Sequence, residues 1–102
     1  MPNNKYLRGA YYERKTITNL EEKGYVASRT AGSHGVFDVI AFNDNHFRLI
    51  QIKSTQNSVK MGFYRKDLTN ITNIVNPDNS TKELWIYGKV NGKNGVLKIC
   101  VV

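Results

Sequence analysis

Residues 36–53 read VFDVIAFNDNHFRLIQIK, and this stretch decides the fold. Two runs rich in β-branched and aromatic residues, 36–42 and 47–53, flank the polar sequence at 43–46. Such runs favour strands, and a short polar connection between them favours a tight turn. The stretch therefore predicts a β-hairpin at the centre of a sheet, to which the rest of the chain adds further elements.

The register of this hairpin brings polar side chains together. If Asp44 and Asn45 are the two turn residues, Asp38 lies directly opposite Gln51, and both side chains project from the same face of the sheet. Lys53 lies one step further along that face, because side chains alternate along a strand. A shift of one residue would break the alignment, so the prediction depends on the turn length.

The segment before the hairpin predicts a helix over residues 6–23, because it lacks proline and Gly24 follows as a stop signal. Glu13 projects into the middle of its apolar stripe, where a carboxylate is costly unless it is paired or bound to metal. If the helix packs on the sheet face that carries Asp38 and Gln51, Glu13 joins them. At about 100° per residue, the stripe consists of Tyr6, Ala10, Ile17 and Leu20.

The remaining elements complete an α/β fold. The order α-β-β-β-α-β-β predicts a central mixed five-stranded β-sheet flanked by helices, in one domain that spans residues 1–102. Asp67 is the expected N-cap of the second helix. The predicted elements are strands at 25–29, 83–90 and 96–102, a polar loop at 54–62 and a short helix at 67–75.

Composition limits the partners and the compartment. Fifteen Lys and Arg against eight Asp and Glu give a net charge of +7, which favours a polyanion, most often nucleic acid. The single cysteine, Cys100, excludes an internal disulfide framework and a cysteine-cluster zinc site, and we expect it to be buried as a small apolar residue. No apolar run approaches the ~20 residues of a membrane helix, and no signal peptide is evident. We expect a cytoplasmic protein with no membrane partner.

Glu13, Asp38, Gln51 and Lys53 form the candidate site. Two carboxylates, an amide oxygen and an ammonium group would converge there, and hard cations such as Mg²⁺ prefer oxygen ligands. A nearby lysine can hold an attacking water or stabilise charge on a phosphate. The hypothesis is metal-assisted phosphodiester hydrolysis. Taken singly, each residue also has an ordinary explanation, as a salt-bridged or hydrogen-bonded side chain.

Three stretches, RGAYYERKTI, GYVASRTAGSHGVFDVIAF and LIQIKS, resemble the archaeal-type Holliday junction resolvases of the PD-(D/E)XK nuclease superfamily. The resemblance implies a restriction-endonuclease-like fold. It also implies a Mg²⁺-dependent endonuclease, with Mn²⁺ as a substitute, that cuts four-way DNA junctions symmetrically during recombination or replication. The implied catalytic residues are Glu13, Asp38, Gln51 and Lys53, and the implied metal ligands are Glu13, Asp38, Gln51 and the carbonyl of Ile52.

The same resemblance implies a homodimer that presents two sites to the two scissile strands, inside a prokaryotic cell or the host cell of a virus. Arg14, Arg29 and Ser33 match family positions in or beside the active site. Basic and polar side chains elsewhere are candidates for phosphate contacts. The full set of candidate DNA-binding residues is Arg8, Arg14, Lys15, Arg29, Ser33, His34, Lys60, Arg65 and Lys66.

Two positions depart from the family pattern. Phe37 stands before Asp38, where proline is usual, and Gln51 stands where the motif has Asp or Glu. Gln51 removes one negative charge from the implied metal site. Two alternatives therefore stay open: a related repair or restriction-type endonuclease, and a dimeric DNA-binding module that has lost cutting through Gln51.

Overall fold

The chain folds into a five-stranded sheet with a helix on each face. The computed structural model describes residues 4–30 and 35–101. The strands lie in the spatial order β1-β2-β3-β4-β5, with β3 and β4 parallel and the other neighbours antiparallel. The predicted order α-β-β-β-α-β-β and the mixed sheet are confirmed. The elements are α1 (Asn4–Glu22), β1 (Val26–Arg29), β2 (Val39–Phe42), β3 (Phe47–Ser58), a 3-10 turn (Met61–Tyr64), α2 (Arg65–Thr72), β4 (Ser80–Val90) and β5 (Lys93–Val101).

Neither helix of the described ranges has the length and apolar character needed to cross a bilayer.

The β2–β3 hairpin has the predicted register. Phe42 pairs with Phe47, and the Asn43 N–H donates to the His46 carbonyl at 3.1 Å. The side-chain oxygen of Asn43 also accepts the N–H of His46 at 3.1 Å, which closes the turn. The two-residue connection predicted from the sequence is therefore the one that forms.

The regular pairing ends at Val39, the first residue of β2. Val39 pairs with Ile50, and the Asp38 N–H donates to the Ile50 carbonyl at 2.8 Å. Asp38 therefore also faces Ile50, so two residues of one strand oppose one residue of its neighbour, as in a β-bulge, and the predicted pairing of Asp38 with Gln51 does not form.

The first helix packs on a different face of the sheet from the one expected. Leu20 of α1 belongs to a core cluster with Val39, Ala41 and Ile50, so α1 covers the face to which these residues point. Gln51 lies on the opposite face because side chains alternate along β3. The expectation that α1 covers the face of Gln51 is wrong.

The second helix covers the face that carries Gln51 and Lys53. Ile71 of α2 packs on Leu84 and Ile86 of β4. Gln51 pairs with Leu84 and Lys53 with Ile86 in the parallel β3–β4 ladder, and paired residues share a face. α1 and the side chains of Gln51 and Lys53 therefore lie on opposite faces of the sheet. Because β2 pairs with β3 only as far as Ile50, the edge of β3 beyond Ile50 has no β2 partner, and groups from both faces can approach it.

Three further expectations are corrected. The polar segment from Ser54 to Ser58 continues β3 instead of forming a loop, because β4 pairs with both of its ends, Ser54 with Tyr87 and Ser58 with Lys89, across a shift in register. Asp67 lies in the first turn of α2, whose N-cap residue is Tyr64, because the 3-10 turn already leads the chain into the helix. Cys100 is exposed, since β5 is an edge strand that α1 does not cover.

An ion pair between partly buried Arg48 and buried Glu83 joins β3 to β4 in the middle of the sheet. Arg48 Nε donates to Glu83 Oε2 and Arg48 Nη2 donates to Glu83 Oε1, both at 2.7 Å. Trp85 Nε1 donates to Glu83 Oε1 at 3.0 Å, and the Thr81 hydroxyl donates to Glu83 Oε2 at 3.0 Å. Burial alone would raise the pKa of Glu83, but the hydrogen bonds from Arg48 and Trp85 lower it overall. Glu83 therefore stays ionised inside the core.

Gly88 of β4 lies against the backbone and side chains of β3. A Cβ built there would lie 2.7 Å from Thr55 Cγ2 and 3.0 Å from the Asn57 carbonyl oxygen. We expect Gly88→Ala to lower the free energy of unfolding by about 1–3 kcal/mol, since an overpacked site must shift backbone and side chains. Urea denaturation followed by circular dichroism measures the change.

Gly9 is the matched control for this substitution. It lies inside α1, with nothing within 4 Å of a built Cβ. Gly9→Ala is expected to raise the free energy of unfolding by about 0.5–1 kcal/mol, because alanine loses less backbone entropy in a helix. Equal effects of the two substitutions would contradict the close approach of β3 to Gly88.

Candidate active site

Asp38 stands at the centre of the candidate site, just before β2 begins. Its Oδ2 accepts the backbone N–H of Ile52 at 2.8 Å. Burial raises the pKa of Asp38, and the hydrogen bond from Ile52 opposes this effect. The negative charge of Glu13 raises this pKa further, whereas the positive charge of Lys53 lowers it. The charges of both Glu13 and Lys53 therefore act on the Asp38 carboxylate.

Glu13 reaches this region from α1. Arg29, the last residue of β1, donates from Nε to Glu13 Oε1 at 2.7 Å. The Glu13 side chain is 22% exposed and the Arg29 side chain 44%, so the pair lies at the edge of the core, open to a ligand. Glu13 comes from the α1 face and Lys53 from the α2 face, and Asp38 lies between them.

Gln51 supplies an oxygen that lacks a partner. Its Oε1 is buried and accepts no hydrogen bond from any residue that the structure describes. An unsatisfied buried acceptor lowers the stability of the fold by about 1–3 kcal/mol. A ligand that binds this oxygen would recover that free energy. Gln51 directly precedes Ile52, whose N–H binds the Asp38 carboxylate, so this oxygen lies beside the candidate site.

Lys53 is held by a residue that the sequence analysis assigned a different role. Its Nζ lies 3.5 Å from Asp67 Oδ1, in the first turn of α2. This partly exposed pair directs the ammonium group without burying it. The contact joins two elements that are separate in the sequence, and no local pattern signals it.

The oxygen atoms present fit a hard divalent cation. Glu13 and Asp38 supply carboxylates and Gln51 supplies an amide oxygen, which is the donor chemistry that Mg²⁺ prefers. Within 4–30 and 35–101, no three His, Cys, Asp or Glu side chains cluster in a way that could hold a metal ion. The amide of Gln51 would therefore have to complete the set, and the carbonyl of Ile52 as a further ligand stays a prediction.

The candidate DNA-binding residues lie on both sides of the sheet. Arg8, Arg14 and Lys15 belong to α1, while Lys60, Arg65 and Lys66 lie just before α2 or in its first turn. The last three side chains are exposed, as are those of Arg14 and Lys15. Arg29 is engaged with Glu13. Ser33 and His34 lie outside the described residues.

Comparison with known proteins places this geometry in context. The model of the archaeal Holliday junction resolvase (hjc) family matches residues 4–100. Among solved structures, the chain is similar to the 1.6 Å structure of Archaeoglobus fulgidus Hjc, a Holliday junction resolvase from an archaeal hyperthermophile, with a TM-score of 0.60 and 17% sequence identity. The match covers 79% of this chain and 65% of the length of that protein. At this identity the similarity concerns the fold, and it confirms the expected fold class.

Proposed function

Because the chain belongs to the archaeal Holliday junction resolvase family, whose model matches residues 4–100, we propose that it is a metal-dependent DNA endonuclease that cuts four-way junctions. The observation that carries the proposal is the buried oxygen of Gln51, which has no hydrogen-bond partner among the described residues and stands one residue before the Ile52 N–H that binds Asp38. The charges of Glu13 and Lys53 act on the same Asp38 carboxylate. Family membership and this donor set together favour phosphodiester hydrolysis.

Each residue of the site has a defined task in the proposal. Glu13, Asp38 and Gln51, with the Ile52 carbonyl, would hold Mg²⁺ or Mn²⁺, which when bound neutralises charge on the scissile phosphate and makes water a better nucleophile. The Ile52 N–H fixes the orientation of the Asp38 carboxylate, and Arg29 fixes that of Glu13.

Lys53 acts on the phosphate in this proposal. Its ammonium group stabilises the negative charge that develops on the phosphate oxygens as the bond to the leaving oxygen breaks. Asp67 holds the Lys53 side chain near this position. Because the Lys53 side chain is 41% exposed, a phosphate from DNA can approach it without displacing the core.

We further propose that the protein is a homodimer, whose two active sites cut the two symmetric strands of a junction. Phosphate contacts would come from the basic residues beside each site, so the affinity for DNA should fall steeply with salt. Light scattering on the purified protein gives the mass of the particle in solution. The residues proposed to contact DNA are Arg8, Arg14, Lys15, Arg29, Ser33, His34, Lys60, Arg65 and Lys66.

One assay separates the proposed activity from its alternatives. A labelled four-way junction and a linear duplex of matched sequence are incubated with the protein, in Mg²⁺ and in EDTA. Paired, symmetric nicks on the junction alone, in Mg²⁺ alone, are expected. Cutting of both substrates would favour a repair or restriction-type endonuclease. Tight binding with no cutting at several Mg²⁺ and Mn²⁺ concentrations would favour a DNA-binding module.

Gln51→Glu tests the role of the amide oxygen. The substitution adds a negative charge beside the proposed cation, and a charge pair about 4 Å apart gains ~1 kcal/mol even at the dielectric constant of water. We expect the Mg²⁺ concentration that gives half-maximal cleavage to fall by at least about fivefold. Metal titrations of the cleavage rate measure it.

Asn73→Asp is the matched control, because it makes the same change of charge at an exposed residue at the end of α2. It should leave the Mg²⁺ requirement unchanged. Complete loss of cleavage in Gln51→Glu would mean that Gln51 has a role other than that of a ligand.

A further inference from the structure

A groove runs along the flank of α1 that faces away from Glu13. It consists of cavities of about 450 Å³ and 350 Å³ that share Tyr11, Lys15 and Tyr87 in their walls. α1 packs over β1, β2 and β3 and reaches β4 where Tyr12 stacks on Tyr87. The groove lies beyond this contact, between the helix and the β4–β5 hairpin. Val96 of β5 lies on its far side.

The walls of the groove combine positive charge with an exposed aromatic ring. Arg8, Arg14 and Lys15 line it, and Glu22 is the sole acidic residue among the described lining residues. The Tyr11 side chain is 52% exposed, and the Lys15 ammonium lies 5.9 Å from the centre of its ring. Cations beside an exposed aromatic ring are the features by which proteins hold single-stranded nucleic acid.

Asn19 adds a hydrogen-bond acceptor to the groove. It lines the larger cavity, and its Oδ1 is buried and accepts no hydrogen bond from the described part of the chain. A buried acceptor without a donor costs about 1–3 kcal/mol. The N–H and amino groups on the edge of an unpaired nucleobase are donors of the required kind, whereas in a duplex these groups are used in base pairing.

We propose that this groove binds a short unpaired stretch of a DNA strand. One base stacks on Tyr11, a base further along the strand donates to Asn19 Oδ1, and Lys15 with Arg8 holds the neighbouring phosphates.

The inference rests on the proposed function in so far as DNA is the ligand. Residues 13 and 15 point about 200° apart around α1, so the groove and the catalytic residues lie on opposite flanks of this helix. A helix with its side chains is ~10–12 Å wide, and Arg14 lies exposed between the flanks. A strand that crosses α1 over Arg14 would therefore connect the two sites. Branched DNA can supply an unpaired nucleotide there, and an intact duplex cannot.

Binding measurements in EDTA test the groove without any cleavage. Fluorescence anisotropy compares a labelled thymidine oligonucleotide with a duplex, for the wild-type protein, Tyr11→Ala and Tyr11→Phe. Tyr11→Ala should weaken binding of the oligonucleotide by about fivefold to 150-fold, the value of one stacked base, with duplex affinity within about twofold. Tyr11→Phe keeps the ring and should bind like the wild type. Equal losses for both DNAs, or no loss, would overturn the proposal.

A second measurement uses the unaltered protein. Amide resonances of ¹⁵N-labelled protein are followed while a thymidine tetranucleotide is added. The titration ends at the concentration at which anisotropy shows that binding is saturated. The largest shifts are expected at Lys15, Asn19 and Val96. Shifts centred on Ile52, or no shifts in the groove, would overturn the proposal. Normal junction cutting with no groove binding refutes this inference alone, whereas groove binding with no cutting at any metal concentration refutes the proposed nuclease.

Discussion

Asp38→Asn is expected to lower the rate of junction cleavage by at least about 10³-fold while leaving the affinity for the junction within about twofold. The substitution removes the charge from the carboxylate on which Glu13 and Lys53 act. An asparagine oxygen can still accept the Ile52 N–H that Asp38 accepts at 2.8 Å, so the local backbone is retained. Single-turnover cleavage in Mg²⁺ and anisotropy in EDTA measure the two quantities separately.

Stability provides an independent check on this variant. Burial raises the pKa of Asp38 in the folded protein, so the ionised carboxylate destabilises the fold at neutral pH, and stability increases as the pH falls through the raised pKa. Asp38→Asn should therefore leave the free energy of unfolding at neutral pH unchanged or raise it. Asp44→Asn, in the exposed turn of the same hairpin, should change neither cleavage nor stability. Wild-type cleavage by Asp38→Asn would contradict the assignment of the site.

Arg48→Met is expected to lower the free energy of unfolding by about 3–5 kcal/mol. Arg48 makes two hydrogen bonds of 2.7 Å to Glu83, and Glu83 is 5% exposed. Removal of the guanidinium leaves a buried carboxylate with Trp85 and Thr81 as its neutral donors, which do not balance its charge. Urea denaturation followed by tryptophan fluorescence measures the loss, because Trp85 contacts the carboxylate directly.

The double variant Arg48→Met with Glu83→Gln separates charge from packing. It removes the unpaired charge and should recover part of the lost stability, because the two residues act as one unit. Arg65→Met removes an exposed arginine at the start of α2 and should change stability by less than about 0.5 kcal/mol. If Arg48→Met lowered the free energy of unfolding by less than about 1 kcal/mol, the Arg48–Glu83 pair would behave like a surface salt bridge, which would contradict the burial of Glu83.

The sequence was sufficient to predict the hairpin and its register, because both depend on short-range features. The turn sequence at 43–46 fixes the connection, and the pairing then follows from Phe42 with Phe47 to Val39 with Ile50. The break in register at Asp38 has no such local signal. The face on which α1 packs could not be predicted in this way. Residues Val39, Ile40, Ala41 and Phe42 are all apolar, so both faces of β2 offer an apolar surface to a helix.

The ion pairs were missed because they join distant parts of the chain. Arg48 and Glu83 meet through the parallel pairing of β3 with β4, whose register is set by the long connection through α2. Lys53 meets Asp67 for the same reason. No periodicity within either segment predicts such contacts, and the same parallel pairing extends β3 through the polar residues 54–58.

Broadening of amide resonances by Mn²⁺ tests most directly the proposal that Glu13, Asp38 and Gln51 hold one divalent cation. A paramagnetic ion at the site should selectively broaden the amides of Val39, Ile52 and Lys53 when added below one equivalent. The broadening should vanish in Asp38→Asn and persist in Asp44→Asn. Broadening centred elsewhere, or unchanged by Asp38→Asn, would contradict the proposed metal site.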